Sequence, residues 1–264
     1  MTANRLMAKI RAARREKRKL FCAFLTLGYP NVEATEKLIE GFAARGVDLV
    51  ELGFPFSDPL ADGPTIQFSS EEALKKGVKM EDAFRLVKEL RKQGVKVPII
   101  FFSYLNPIHH FGIKQFVPDA VRAGFDGLIV PDLPPEEEPE LQKQCRKYGF
   151  PQIFFISPTT LKKRARMISH RSKGFIYYVS LRGVTGARKA MADDLKACVS
   201  RVRRSAKAPV LIGFGVSGPE QARALAKFSD GVIVGSAIVD SLKNSEGDLD
   251  RTIHFVSQMI KAIR

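Results

Sequence analysis

Eight short apolar segments alternate with stretches of helical periodicity, and this rhythm restricts the fold more than any other feature of the chain. The apolar segments are 20–27, 47–53, 97–103, 126–131, 152–157, 174–180, 209–213 and 230–234. Helical spacing occupies 33–45, 81–93, 113–123, 136–148, 160–171, 192–204 and 219–227 between them. Strands that alternate with helices build a parallel sheet, because each parallel pair needs a crossover connection. Eight such units in 264 residues are the arithmetic of a closed (β/α)8 barrel, and their regularity favours it over a doubly wound open sheet. A weak recurrence agrees. Ala44-Arg-Gly-Val-Asp-Leu-Val50, Ala123-Gly-Phe-Asp-Gly-Leu-Ile-Val130 and Phe228-Ser-Asp-Gly-Val-Ile-Val234 each read as helix end, turn, aspartate, strand. No linker or low-complexity stretch divides the chain, so 1–264 reads as a single α/β barrel domain with an extra N-terminal helix in 1–19.

Three cysteines, Cys22, Cys145 and Cys198, are too few and too scattered for a disulfide framework or a metal site, which suits a reducing cytoplasm. No apolar run approaches the length of a membrane span. The net charge is +15, and residues 1–19 carry eight Lys and Arg against the single acid Glu16. A nucleic-acid or membrane arm would use such a helix. A transit peptide would be Ser-rich, and this segment has no serine. The remaining reading is an amphipathic helix with Leu6, Ile10 and Ala13 on its buried stripe, and Arg11, Arg14, Arg15 and Lys17 in water. Leu20–Leu27 is a poor signal segment, with nineteen residues before it and no cleavage motif after it.

In a barrel of this kind the chemistry sits on the loops after the strands. Glu51 falls at the end of the second strand and Asp62 in the Pro/Gly-rich loop that follows. Period-two alternation puts Glu51 on the face of Leu49, opposite Val50 and Leu52. A carboxyl among Leu49, Leu52 and Phe54 should hold its proton, and Asp62 in a polar loop should stay ionised, so the two can play acid and base. Asp62 before Gly63-Pro64 also fits a plain turn. Leu211-Ile-Gly-Phe-Gly-Val-Ser-Gly218 follows the seventh strand, and Ile233-Val-Gly-Ser-Ala237 ends the eighth and opens a short helix. Phosphate sites of barrels recur at these two loops; tight turns are the alternative. Ser180-Leu-Arg-Gly-Val-Thr-Gly-Ala-Arg188 has the composition of a mobile lid or of an ordinary surface loop. His109 and His110 sit in a loop by this reading, and the four histidines make no metal spacing. No metal or organic cofactor is implied.

These motifs together resemble the tryptophan synthase alpha subunit family. The resemblance is carried by Thr26-Leu-Gly28 with Pro30, the block Glu51-Leu-Gly-Phe-Pro-Phe-Ser-Asp-Pro-Leu-Ala-Asp-Gly-Pro-Thr-Ile-Gln67, Tyr104-Leu-Asn-Pro107, Pro131-Asp-Leu-Pro134, Gly183-Val-Thr-Gly186, Gly213-Phe-Gly215 and Gly235-Ser-Ala-Ile238. It runs essentially end to end, and by it the basic helix matches the family's leading helix and leaves no room for a presequence. The resemblance implies a cofactor-free retro-aldol cleavage of indole-3-glycerol phosphate to indole and glyceraldehyde 3-phosphate. By the same resemblance Glu51 protonates indole C3 and helps deprotonate the glycerol hydroxyl, and Asp62 takes or stabilises the N1 proton. Phe24, Phe102, Tyr104, Ile129, Ile156, Tyr177 and Phe214 would form the indole pocket. Gly186, Gly215, Gly235 and Ser236 would cradle the phosphate, and Thr185 would join the lid to the loop aspartate. Pro55, Asp58 and Asn106 would face a beta subunit in an αββα assembly. Tyr29 and Leu181-Arg182 depart from the family pattern. A stand-alone indole lyase, a non-catalytic activator and a basic nucleic-acid-binding protein are the competing readings; the retained carboxylates oppose the second and the absence of any binding motif opposes the third.

Overall fold

The structure, a computed structural model, describes residues 4–179, 188–213 and 215–264, with 188–193 as helical backbone. Helix α1 (Arg5–Arg15) leads into β1 (Leu20–Thr26), α2 (Val32–Ala44), β2 (Leu49–Gly53), α3 (Pro64–Lys75), α4 (Met80–Lys92), β3 (Ile99–Phe102), α5 (Leu105–Phe111) and α6 (Ile113–Ala123). Then come β4 (Gly127–Ile129), α7 (Pro139–Lys147), β5 (Gln152–Ile156), α8 (Lys162–Arg171), β6 (Ile176–Val179) and α9 (Arg188–Ser205). The last elements are β7 (Val210–Gly213), α10 (Pro219–Ala226), β8 (Gly231–Val234), α11 (Ser236–Asn244) and α12 (Leu249–Ile263). The eight strands are all parallel and close into a barrel in sequence order, β8 pairing with β1. All eight expected strands are present, each trimmed by a residue or two at most ends.

The expected loop at His109 and His110 is instead the last turn of α5. Its seven residues bury Ile108 and little else, so there is too little apolar period to announce a helix. Helix α3 is a second helix between β2 and β3. Its buried stripe is Ile66, Ser69, Ser70 and Ala73, one large apolar residue among small and polar ones that leaves only a weak hydrophobic signature, although Pro64 occupies the first helical turn, where its missing N–H costs nothing.

Strand residues alternate between two layers. Cys22, Phe24, Leu49, Ile100, Phe102, Ile129, Ile153, Tyr177, Leu211 and Ile233 fill the barrel interior. Phe21, Ala23, Val50, Leu52, Phe101, Leu128, Phe154, Ile176, Ile212 and Val232 meet the helices outside. Helix α1 closes the bottom. Leu6 is fully buried with Ile10 and Ala13 in the interior cluster, and Arg11, Arg14, Arg15 and Lys17 are exposed, as the amphipathic reading expects. Asn4 caps the helix by accepting the Met7 N–H at 3.2 Å and ties it to the barrel by donating to the Asp126 carbonyl at 2.9 Å.

The three aspartates of the recurring corner share one task. Asp48 Oδ2 accepts the Phe21 N–H at 3.0 Å, Asp126 Oδ2 the Ile99 N–H at 2.9 Å, and Asp230 Oδ2 the Val210 N–H at 2.9 Å. Each thus pins the base of the strand before its own. Ser172 takes the corresponding place in the β5–β6 pair, its Oγ accepting the Phe154 N–H at 3.2 Å. Each carboxylate also meets an arginine: Arg18 on Asp48 at 2.6 Å, Arg91 on Asp126 at 2.8 Å and Arg203 on Asp230 at 2.6 Å, with Arg5 of α1 at 2.9 Å on Asp126. Burial pushes the Asp126 carboxyl above its ordinary range although both arginines pull it down. Such a pair adds little net stability over an apolar substitute, but removing one partner strands the other.

Asp126→Asn is therefore expected to cost about 3 kcal/mol of unfolding free energy, and charge reversal of both Arg14 and Arg15 to stay within about 0.5 kcal/mol. Urea unfolding of the two variants checks this; equal losses would remove the special role of the buried clamp. The same charge-reversed chain tests the basic helix. Tight RNA or DNA binding by the parent that weakens steeply with salt and vanishes in the variant would overturn its reading as a cover for the barrel floor.

Candidate active site

Strand β2 carries Glu51 between Phe24 of β1 and Ile100 of β3 in register. Its side chain follows Leu49 into the interior, where it is 0% exposed. The Cys22 thiol donates to Oε1 at 3.5 Å, and Oε2 is buried with no partner among the described residues. Burial pushes the Glu51 carboxyl up to about 8, with the Cys22 hydrogen bond pulling weakly the other way. The shift is in the direction expected for a carboxyl among apolar side chains.

Asp62 lies in the loop after β2, half-buried. Tyr104, between β3 and α5, donates its hydroxyl to Asp62 Oδ2 at 3.0 Å and accepts the Ala61 N–H at 2.9 Å. Gln67 of α3 donates to the Asp62 carbonyl at 2.9 Å, and Thr26 and Ser69 share a hydrogen bond of 2.7 Å that fastens α3 to β1. The loop thus turns the carboxyl inward. Burial raises Asp62 to about 6, with the Tyr104 hydrogen bond opposing, so the polar-loop expectation underestimates its proton affinity. At neutral pH Asp62 is still mostly ionised and Glu51 mostly protonated.

Asp62 lines a cavity of about 1110 Å³; Glu51 is not among its lining residues and lies behind Phe24, its register neighbour, which does line it. Phe24 and Phe102 meet edge to face at 5.4 Å, and Phe155 and Tyr177 lie 4.7 Å apart; all four line the cavity and leave an apolar slot for a planar group. Two strand glycines make room for these rings. A Cβ on Gly53 would stand 2.5 Å from the Phe24 ring, and one on Gly213 2.3 Å from the Tyr177 ring. Gly215, Gly235 and Ser236 line the same cavity. Gly215 has φ +75, a left-handed conformation that suits glycine. Gly235 caps α11, and while its carbonyl accepts the Ile238 N–H at 2.8 Å, the opening N–H groups of a helix have no partner within it and favour an anion.

Of the residues expected at the site, Phe24, Asp62, Phe102, Tyr177, Gly215, Gly235 and Ser236 line the cavity. Tyr104 is buried behind Asp62 and acts on it. Ile129 belongs to the packed interior and does not line the cavity. Ile156 points outward into the helix-facing layer, and its neighbour Phe155 faces the cavity instead. Thr185, Gly186 and Phe214, with the lid segment and Leu181-Arg182, lie outside the described residues. Tyr29 packs edge-on against Phe68, away from the cavity lining. Pro55 is buried within the chain, and Asp58 and Asn106 are exposed.

Two carboxyls of raised proton affinity, one of them lining a cavity together with glycines at a helix start, are groups that can exchange protons with a small ligand at the mouth of a barrel. Comparison with known proteins narrows the class. The family model described as tryptophan synthase alpha chain matches residues 10–264. The tryptophan synthase alpha chain of Dehalococcoides mccartyi is 43% identical over 248 residues, covering 94% of this chain and 96% of that one. A crystal structure of tryptophan synthase subunit alpha from Legionella pneumophila superposes with a TM-score of 0.91 at 35% identity and 99% coverage of both chains. A chain of Mycobacterium tuberculosis tryptophan synthase gives 0.89 at 34% identity, again with 99% coverage of both. The chain belongs to the tryptophan synthase alpha chain family, the lyases that cleave indole-3-glycerol phosphate in tryptophan biosynthesis.

Glu51 binds its proton more tightly in the folded chain than in the unfolded one, so stability falls as pH rises from the ordinary value of 4.5 through about 8. Glu51→Gln removes that loss. The variant is expected to be more stable than the parent by up to about 3 kcal/mol at neutral pH, the gap closing toward pH 5. Melting curves across pH check this, and an identical pH dependence in both chains would show that Glu51 is not the cause.

Proposed function

We propose that Glu51 and Asp62 are the acid–base pair of the retro-aldol cleavage in this chain. The observation that carries the reading is the fully buried Glu51, with an unpartnered Oε2 among the described residues, in register with Phe24 of the cavity lining. The indole ring occupies the slot of Phe24, Phe102, Phe155 and Tyr177, and the phosphate lies against Gly215, Gly235 and Ser236. Protonated Glu51 gives its proton to indole C3. The ring becomes an N1-protonated iminium, and ionised Asp62 accepts the N1–H hydrogen bond and offsets its charge. The Glu51 carboxylate then takes the proton of the glycerol hydroxyl next to the ring. The C–C bond breaks, its electron pair restores the aromatic indole, and the hydroxyl carbon leaves as the aldehyde of glyceraldehyde 3-phosphate. Glu51 ends as it began, protonated. Tyr104 holds Asp62 in place.

The partner we assign is a beta subunit, in an αββα assembly. The loop that carries Asp58 and Asp62 also presents Leu60, 93% exposed, and Asn106 is exposed in the first turn of α5, the helix that follows β3. A nearly bare leucine beside catalytic residues fits a face that a partner covers. Three free cysteines suit the cytoplasm as its place.

Three measurements test the reading. kcat/KM for indole release is expected to form a bell, rising through about 6 as Asp62 ionises and falling through about 8 as Glu51 does. Glu51→Gln and Asp62→Asn are each expected to lose about 10²–10⁴-fold in turnover with the fold intact; near-parent turnover in either refutes its role. Glycerol 3-phosphate is expected to raise the melting temperature, and Gly235→Asp, which places a carboxylate in the cradle, to abolish that shift. A shift that survives the substitution puts the anion elsewhere.

A further inference from the structure

We propose that Cys22 is a positioning residue for Glu51: its thiol engages one carboxyl oxygen and thereby leaves the other as the oxygen that exchanges protons with substrate. The inference deepens the reading of Glu51 as the acid–base group and rests on it. The two oxygens of Glu51 stand in unlike surroundings. Oε1 accepts from Cys22 Sγ at 3.5 Å, and Oε2 has no partner among the described residues, although both groups are fully buried. In a neutral carboxyl one oxygen accepts and the other carries the proton. A thiol donating to Oε1 marks it as the acceptor, so the proton sits on Oε2.

The surroundings leave this task to Cys22. Register neighbours Phe24 and Ile100 are apolar. Among the described residues, the titratable groups facing the pair are Tyr177 from β6, which feels both Glu51 and Cys22, and Asp48 at the base of β2, with Asp62 acting on Tyr177 from the loop after β2. Burial and the Glu51 charge keep the Cys22 thiol protonated, so it remains a donor whenever Glu51 is ionised. Its chemistry suits the task. A thiol is a weak donor, so it can orient the carboxyl without stripping it of its high proton affinity. A serine hydroxyl would orient it too and would favour the ionised form more strongly.

The test compares Cys22→Ala, Cys22→Val and Cys22→Ser in the full chain, with melting curves to confirm folding. Infrared difference spectra isolate the protonated carboxyl band of Glu51 by subtraction of the Glu51→Gln chain, and its loss with pH reads the titration directly. Without a donor, in Ala and Val, the titration is expected to move upward and kcat to fall about three- to tenfold, the worth of one modest hydrogen bond, with KM nearly unchanged. Cys22→Ser is expected to recover most of kcat and to move the titration downward. An unmoved band and titration in Ala and Val overturn the contact. A moved titration with unchanged kcat overturns the positioning role, as does a loss in Ser equal to that in Ala, which points to packing. Undiminished turnover in Glu51→Gln sinks the reading of the site instead, and the band then still decides the contact.

Discussion

Closure of the barrel depends on strand register, and register is pinned at the bottom by side chains that reach one strand back. Asp48, Asp126, Ser172 and Asp230 each accept the N–H of a residue near the base of the preceding strand. Every odd strand is thereby joined to the even strand after it, so the barrel is held as four two-strand units. Side chains alternate with period two, and a slip of one residue would exchange the two faces of a strand. On β2 that slip would send Glu51 among the helices and turn Val50 inward. The clamp at the floor therefore determines which residue stands beneath the cavity at the mouth.

The same layering explains how a lone carboxyl survives in the core. The interior layers below Glu51 are apolar and sealed by Leu6, Ile10 and Ala13 of α1. No cation faces it among the described residues, so it answers to burial by keeping its proton. An arginine partner would hold it ionised instead. Asp62 is less buried and receives a phenol hydrogen bond, and it settles about two units lower. The separation between the two comes from depth and from one hydrogen bond each, a thiol for the deeper group and a tyrosine for the shallower.

Much of this was legible in the residues. The eight apolar segments with their helices imply the barrel, and the three aspartate corners mark three of its four clamps, although their hydrogen-bonding task needs the register to be seen. The fourth clamp is a serine and breaks the pattern. Glu51 is readable from alternation alone. Asp62 is not, because its proton affinity comes from how the loop folds against Tyr104. Period two also places Phe155 and Ile156 on opposite faces without saying which face is inward; β5 is apolar on both, so neither face stands out. Helices α3 and α5 escape notice because they bury small side chains or almost none.

The aromatic slot shows why single-residue spacing matters at the mouth. Phe24 and Tyr177 lean over neighbouring strands, and each occupies space that a side chain on Gly53 or Gly213 would fill. Those glycines need no unusual backbone at all; they are sites of close approach. The Glu51-Leu-Gly53 sequence therefore combines two demands in three residues: a carboxyl turned into the barrel interior, and two residues on, along the same face, a gap that lets the Phe24 ring lie over the strand. Any larger residue at 53 would push that ring into the slot above Glu51, so the geometry of the acid and the shape of the pocket are set by the same turn of chain.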